Sequence, residues 1–474
     1  MQQQWNPGHT DTDERQSVRE EIIKHLKSNV AAKERNAWLT ALNEKDPKIL
    51  WQKINWKGTV DNTSSKKPPL EELRKHFLKK GESVEDSTLL CDVTGDAYVP
   101  ELDDPITMEE LSTVTNKHLK DKATGDGWCK KMLVNLPQTI LTAMLIIYNA
   151  IHRAHQYPTR WRTTIVNEIF KNKGDSEESK NYRGISLVYL LSKVYDLILG
   201  NRFMIWFKKI CNDAQTAYQD GKSSADHVFF LRCLVQQAIR YDEKIFLIAA
   251  DFDGAFDRIS RSLLIRKLIR FGAGTVFVAC IASMYMYTDN IIFRDKEFVT
   301  YKLLSGIKQG LPLSPLLFIF YINDIFETFK RIHGRCVDNI YQLIHLLVHA
   351  DDVTLLATLR DCAIKKLQTL SEYCRDNFIV PQFTKCMFIV INGSEDDKIS
   401  LPFWQFIAGE CQLPRNSGQS SCAIWVAYGR TGASHEQTIL QLHQILQLLQ
   451  GEQARPAIGE IEIVERLCYD EPSS

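Results

Sequence analysis

Two apolar runs that end in acid constrain this chain more than any other feature of its 474 residues. KIFLIAADF (244–252) runs into Asp251, and QLIHLLVHADDVTLLATL (342–359) carries Asp351 and Asp352 at the break between two apolar halves. Short apolar runs bounded by turn signals read as buried strands, so the second stretch is a hairpin with a tight ADD bend. Each acid then stands at the exposed end of a buried strand. If the strands pair, carboxylates a hundred positions apart in the chain converge. Like charges that close do not all stay ionised unless a cation joins them. Hard oxygen ligands of this kind suit Mg²⁺, with Mn²⁺ able to serve in its place. Two such ions about 4 Å apart activate an attacking hydroxyl and neutralise a leaving phosphate.

The surrounding chain is α+β: strands with acids at their ends and helices between them. TTIVNEIF (163–170) and a second run near 185–189 bracket the polar turn KNKGDSEESKN, which reads as a hairpin with a basic tip. Ser223 and Asp226 form a capping-box pattern ahead of VFFLRCLVQQAI, and SRSLLIRKLIRFG (260–272) has helical spacing with Gly272 as its stop. GIKQGLPLSPLLF (306–318) opens a helix. Further helical patterning runs over 17–42 and through 108–151, separated by a loop-like DNTSSKKPP and a breaker-rich stretch at 92–105.

Composition excludes several classes. With 44% hydrophobic and 24% charged residues the chain is neither disordered nor collagen-like. No apolar run reaches the ~18–20 residues of a membrane span, and the N-terminus lacks a signal peptide's apolar stretch, so an intracellular place is expected. The 12 cysteines include no CxxC pair, which argues against a zinc site and leads us to expect reduced thiols. Lys+Arg 58 against Asp+Glu 58 gives no net charge, yet 160–240 holds thirteen basic residues against eight acidic ones. Such a local excess can track a polyanion, with aromatics such as Tyr182 and Tyr218 available to stack on bases. From 401 to 474 there are nine Gln, eight Asp/Glu and four Arg but no Lys; the last lysine is Lys398.

Taken singly, an Asp-Asp turn also reads as a solvated hairpin, DFDGAFD as a helix cap, and the basic tip as a solvated loop. The joint order is far more specific. NYRGISL (181–187), FKNKGD (170–175), DFDGAFD (251–257), GIKQGLPLSPLLF, the ADD box and PQFTKCMF (381–388) resemble successive blocks of reverse transcriptases of non-LTR, LINE-type retrotransposons. DKATGDG (121–127) and NAIHRAHQYPTRWR (149–162) resemble that family's N-terminal polymerase extension, so the resemblance covers about 100–395.

The resemblance implies a right-hand polymerase. Residues 1–100 are a polar extension or linker, 101–160 the helical extension, 161–243 the fingers, 244–395 the palm, and 396–474 an atypical tail in place of a thumb. It implies RNA-directed DNA synthesis with two Mg²⁺, an RNA template, a DNA primer and dNTPs. Asp251 and Asp351, joined by the Phe252 carbonyl, match the metal-binding acids, and Asp352 the third acid. Phe256 matches the aromatic beneath the incoming sugar that excludes a 2′-hydroxyl. Lys171, Lys173 and Arg183 match the triphosphate grip, where Arg offers a bidentate contact and Lys a point charge. Gln309 and Gly310 match the loop holding template and primer, and Lys385 the acid that protonates leaving pyrophosphate.

Four departures stand out. His349 replaces the family's aromatic before ADD, and its imidazole nitrogen needs a partner. The family's KATGPDG block has lost its proline. The tail from 401 resembles no thumb and reads as foreign sequence. Neither an endonuclease pattern nor a C-terminal Cys/His finger is found. An alternative reading is therefore a decayed or repurposed copy that binds RNA without polymerising. A third, an unrelated metal-dependent nuclease, is disfavoured by the Gln309–Gly310 and Arg183 blocks.

Overall fold

The computed structural model describes residues 67–80, 95–171, 174–286, 288–294, 297–330, 346–382 and 386–393, with the backbone alone at 331–333, 404–405, 411–413 and 422–429. The helical patterning at 17–42, together with Lys173 and Lys385, lies outside the described residues. No helix among the described residues is long and apolar enough to cross a membrane.

The expected hairpin forms the first sheet. β1 (Thr164–Phe170) pairs antiparallel with β2 (Tyr182–Leu187), in register from Ile165 opposite Leu187 to Phe170 opposite Tyr182. Two strands that the sequence reading did not pick out complete it: β4 (Thr288–Arg294) runs parallel to β1, and β5 (Glu297–Leu303) returns antiparallel to β4. One face of this sheet is sealed by α1 (Leu70–Lys80), which carries Leu70, Leu73 and Phe77 on one side at helical spacing. Those three pack with Val166, Tyr182, Ile292 and Tyr301. Residues 70–80, grouped by the sequence with a polar extension, are thus part of a packed layer.

The second sheet is built around β3 (Ile245–Ala250), flanked antiparallel by β7 (Asp352–Ala357) and β8 (Met387–Ile391). β3 is apolar throughout because both its faces are covered. Ile245 and Leu247 join a cluster with Leu234, Val235 and Ala238 of α4 (Ser224–Tyr241), while Phe246, Ile248 and Ala250 enter the main core. Ser223 caps α4 as expected, its N–H donating to Asp226 Oδ2 at 2.7 Å. β6 (Leu346–His349) pairs with β7 on the far side. Beyond β8 the backbone continues through β11 (Cys422–Gly429), which pairs with all of β8, and β10 (Cys411–Leu413) and β9 (Trp404–Gln405) pair with β11. The lysine-free segment therefore covers an edge of β8 that would otherwise be open to pairing.

The main core joins α2 (Gln138–Ala154), α3 (Leu190–Phe207), α5 (Arg261–Arg270), α6 (Thr275–Tyr285) and α7 (Ser314–Tyr321). Phe203 stacks on Phe277 at 5.4 Å and meets Phe320 edge-on at 5.6 Å. α5 ends at Arg270, two residues before Gly272 at φ 76°, as its pattern predicted. A buried lysine on it, Lys267, donates to the Tyr321 carbonyl at 2.6 Å, to Asp324 Oδ1 at 2.7 Å and to Asn377 Oδ1 at 2.6 Å. It ties α5 to the ends of α7 and α8 (Arg360–Asp376). Cys362 is disulfide-bonded, against the expectation of reduced thiols, because linear spacing does not reveal which sulfurs the fold brings together.

Phe77 is the largest of the three buried side chains of α1, standing 3.3 Å from where a Cβ on Gly184 would lie. Phe77→Ala should lower unfolding stability by ~3 kcal/mol in a urea titration. A loss below about 0.5 kcal/mol, the size of an ordinary surface substitution, would show that α1 is not docked on the sheet.

Candidate active site

The β6–β7 register sets the acid bend. Val348 pairs with Val353 and His349 with Asp352, leaving Ala350 and Asp351 at the turn, with Ala350 at φ 55°. On the other side of β7, Val353 pairs with Ala250. One further step in that register puts Asp251 opposite Asp352, with Asp351 beside them at the bend. Directly opposed residues of an antiparallel pair have Cα atoms ~4.5–5.5 Å apart. Asp251 is buried, Asp351 half-buried and Asp352 exposed. The register thus brings the three positions to one end of the sheet. The side chains are not gathered into a cage: among the described residues no group of three or more His, Cys, Asp or Glu stands ready to hold a metal.

The chain beyond β3 is held by a short extension of the sheet. Gln382 N–H donates to the Asp251 carbonyl and Asp253 N–H to the Val380 carbonyl, each at 2.7 Å, around a bridge between Phe252 and Pro381. Backbone groups alternate sides along a strand. With Asp251 C=O and Asp253 N–H turned to 380–382, the carbonyl of buried Phe252 faces the side of the acid hairpin.

The loop at 306–310 seats against both 251–257 and β2. Gly306 N–H donates to the Ile259 carbonyl at 2.7 Å and Ile307 N–H to the Phe256 carbonyl at 2.8 Å. Gln309 Nε2 donates to Asp257 Oδ1 at 2.8 Å, and its carbonyl accepts from Ser186 N–H at 2.7 Å. Both glycines are demanded by this fit. Gly306 has φ 80° and a Cβ there would lie 2.6 Å from the Asp257 carbonyl oxygen; Gly310 has φ 115° and a Cβ 2.9 Å from Ser186 O. Phe256 stacks on Phe318 with ring centroids 5.0 Å apart.

The sequence reading missed Arg261, which lies in the first turn of an amphipathic helix with no local signal. It is buried and donates to the carbonyls of Gly306 at 2.8 Å and of Tyr285 and Leu303 at 2.9 Å, and to Thr288 Oγ1 at 2.9 Å. One guanidinium therefore ties the loop to the end of α6 and the base of the β4–β5 hairpin.

Charge around this loop is strongly perturbed. Burial pushes the Asp257 carboxyl above its ordinary value, opposed by Lys80 of α1 and the Gln309 amide. Burial drives His76 down to about 4, helped by Lys80 and Lys171. The end of α1 therefore lies close to the site. Burial also raises Asp196 to about 7 and lowers Lys308 to about 7, each ionised form favouring the other. Asp196 Oδ2 accepts from Leu313 N–H at 2.9 Å ahead of α7, and Lys308 donates to the Trp161 carbonyl at 3.2 Å.

Of the other expected residues, Lys171 follows β1 and its ammonium donates to the Lys180 carbonyl at 2.6 Å, while Arg183 is exposed on β2. His349 has the partner its imidazole needs, with Thr216 Oγ1 at 2.9 Å from Nδ1. Gly125 of the altered 121–127 block donates its N–H to the Val188 carbonyl at 2.9 Å, and Asp126 Oδ2 accepts from Leu190 N–H at 3.0 Å, so the turn is formed without the proline.

Residues 170–423, over half of the 474, match the family described as reverse transcriptase (RNA-dependent DNA polymerase). The match runs past 395, where the resemblance read from the motifs stops. A probable RNA-directed DNA polymerase from transposon BS of Drosophila melanogaster is 26% identical over 285 residues, 57% of this chain and 30% of that protein. One from the X-element transposon of the same fly is 25% identical over 261 residues, 53% and 28% respectively. The chain thus spans less than a third of these relatives' length. Among solved structures, an apo telomerase from Candida tropicalis truncated from its C-terminal domain aligns over 60% of this chain and 61% of its own, at 11% identity and a TM-score of 0.36.

Removing the Asp196 carboxylate takes the acceptor from Leu313 and the counter-charge from Lys308. Asp196→Ala should cost about 1–3 kcal/mol in a urea unfolding curve, the size expected when a buried N–H loses its acceptor. A loss under about 0.5 kcal/mol, that of an ordinary surface substitution, would show that the carboxylate does not hold the start of α7.

Proposed function

Because this chain belongs to the reverse transcriptase family, we propose that it is the polymerase part of a LINE-like mobile element, adding deoxynucleotides to a DNA 3′-hydroxyl on an RNA template. The observation that supports this most is the register that brings Asp251, Asp351 and Asp352 to one sheet end beside the 306–310 loop. In this reading the sheet around β3 is the palm and the β1–β2 sheet belongs to the fingers.

The donor set is all oxygen, which fits a hard divalent cation: Asp251, Asp351, Asp352 and the Phe252 carbonyl would hold Mg²⁺, with Mn²⁺ able to replace it. Bound there, the ions would acidify the primer hydroxyl and neutralise charge on the triphosphate. The protein's own part is placement. Arg183, Lys171 and Lys173 bind the triphosphate, Arg183 bidentately. Phe256, backed by Phe318, lies under the sugar and leaves no room for a 2′-hydroxyl. Gln309 and Gly310, fixed by Asp257 and Ser186, hold the template–primer pair, and Lys385 protonates the departing pyrophosphate.

A second reading, a copy that binds RNA without polymerising, draws on His349 in place of the family's aromatic before ADD, on the missing proline at 121–127 and on the atypical tail. One assay separates the two. Purified protein with Mg²⁺ should extend a DNA primer on an RNA template, and Asp351→Asn should reduce extension by ~10³-fold or more, because charge stabilisation at the reacting phosphate dominates the rate. RNA binding without extension by the wild type would favour the second reading. Full activity in the Asn variant would refute the metal assignment.

A further inference from the structure

One buried side chain that the family reading leaves unused touches the backbone of the acid bend itself. Gln215 is 0% exposed and sits in a segment running alongside β6. Val348 N–H donates to the Ala214 carbonyl at 3.0 Å, and Thr216 N–H returns to the Val348 carbonyl at 3.1 Å. The Gln215 side-chain oxygen accepts from Ala217 N–H at 3.0 Å and from Ala350 N–H at 3.2 Å. Ala350, the residue before Asp351, is held at φ 55°, a left-handed conformation that costs a non-glycine residue on the order of 1 kcal/mol. Gln215 Nε2 is buried without a hydrogen-bond partner, so the amide is retained through its oxygen. Three residues on, Tyr218 also stands at φ 55° and half exposed. Strain of this kind persists only where surrounding contacts over-determine it.

We propose that Gln215 is a positioning residue for Asp351: its side-chain oxygen fixes the strained bend at Ala350 and so sets the direction in which the Asp351 carboxylate leaves the hairpin. This rests on the polymerase reading, in which Asp351 acts on the substrate. Gln215→Leu strands two buried N–H groups and frees the bend. Gln215→Glu keeps the accepting oxygen but adds a buried charge against the bend once it ionises. Ala350→Gly lets the bend adopt its positive φ without strain and without help from Gln215.

The test is steady-state primer extension with the full chain, reading kcat and dNTP KM, with Asp351→Asn as the reference. Gln215→Leu should lower kcat by roughly tenfold or more with KM changed by no more than about threefold, the split expected when a group acts only through the reacting geometry. Adding Ala350→Gly to Gln215→Leu should recover part of that turnover. The activity of Gln215→Glu relative to wild type should fall as pH rises and its carboxyl ionises. Unchanged kcat in Gln215→Leu beside an inactive Asp351→Asn overturns the inference and leaves the polymerase reading standing. So does a loss that Ala350→Gly fails to restore and that Gln215→Glu shows at every pH. Full activity in Asp351→Asn overturns the reading and the inference together.

Discussion

Antiparallel pairing of β3 with β7 on one side and β8 on the other is the constraint on which the rest depends. All but Ala249 of the β3 side chains are buried, Ile245 and Leu247 with α4 and Phe246, Ile248 and Ala250 in the main core, so the strand has no freedom to slip. A one-residue slip would turn Phe246, Ile248 and Ala250 to the wrong face. The same register that seals the core sets Asp251 opposite Asp352. Burial behind the acids thus fixes their place.

The acids stand at a strand end. Two glycines let the 306–310 loop press beside them, against the backbone of 251–259 and of β2. Buried polar groups then hold that loop from behind: Arg261 through the Gly306 carbonyl, Lys308 through the Trp161 carbonyl, and Asp196 through the Leu313 N–H just ahead of α7. Buried groups of this sort add little net stability, since desolvation offsets their attraction. What they contribute is a single geometry, because alternatives leave a polar group unpaired in the interior.

The substituted His349 shows how a departure from the family pattern is absorbed. Its polar nitrogen meets Thr216, so the position keeps its packing and gains a hydrogen bond to the segment that also carries Gln215. That segment lies 135 residues before Ala350 in the chain, and the hairpin tip is held from outside as well as through its own strands. The lysine-free tail is absorbed differently: its backbone extends the sheet beyond β8, a role that asks for β pairing and little of side-chain chemistry.

Sequence alone determined the strands ending in acid, the capped helix at Ser223, the β1–β2 hairpin and the loop whose glycines permit close approach. These are local: apolar period, turn chemistry and caps act within a few residues, and the family's blocks kept their order. Tertiary structure decided everything that requires two distant segments to meet. It added β4 and β5 to the first sheet, docked α1 on that sheet's face, and buried Arg261, Lys308 and Asp196 behind the site. It also set Gln215 against the acid bend. None of these has a local signature, because an Arg at a helix start or a Gln in a loop looks solvent-facing until the fold closes over it. Burial and hydrogen-bond partners belong to the folded interior, and pairing across a hundred or more residues is set by the packing of the whole.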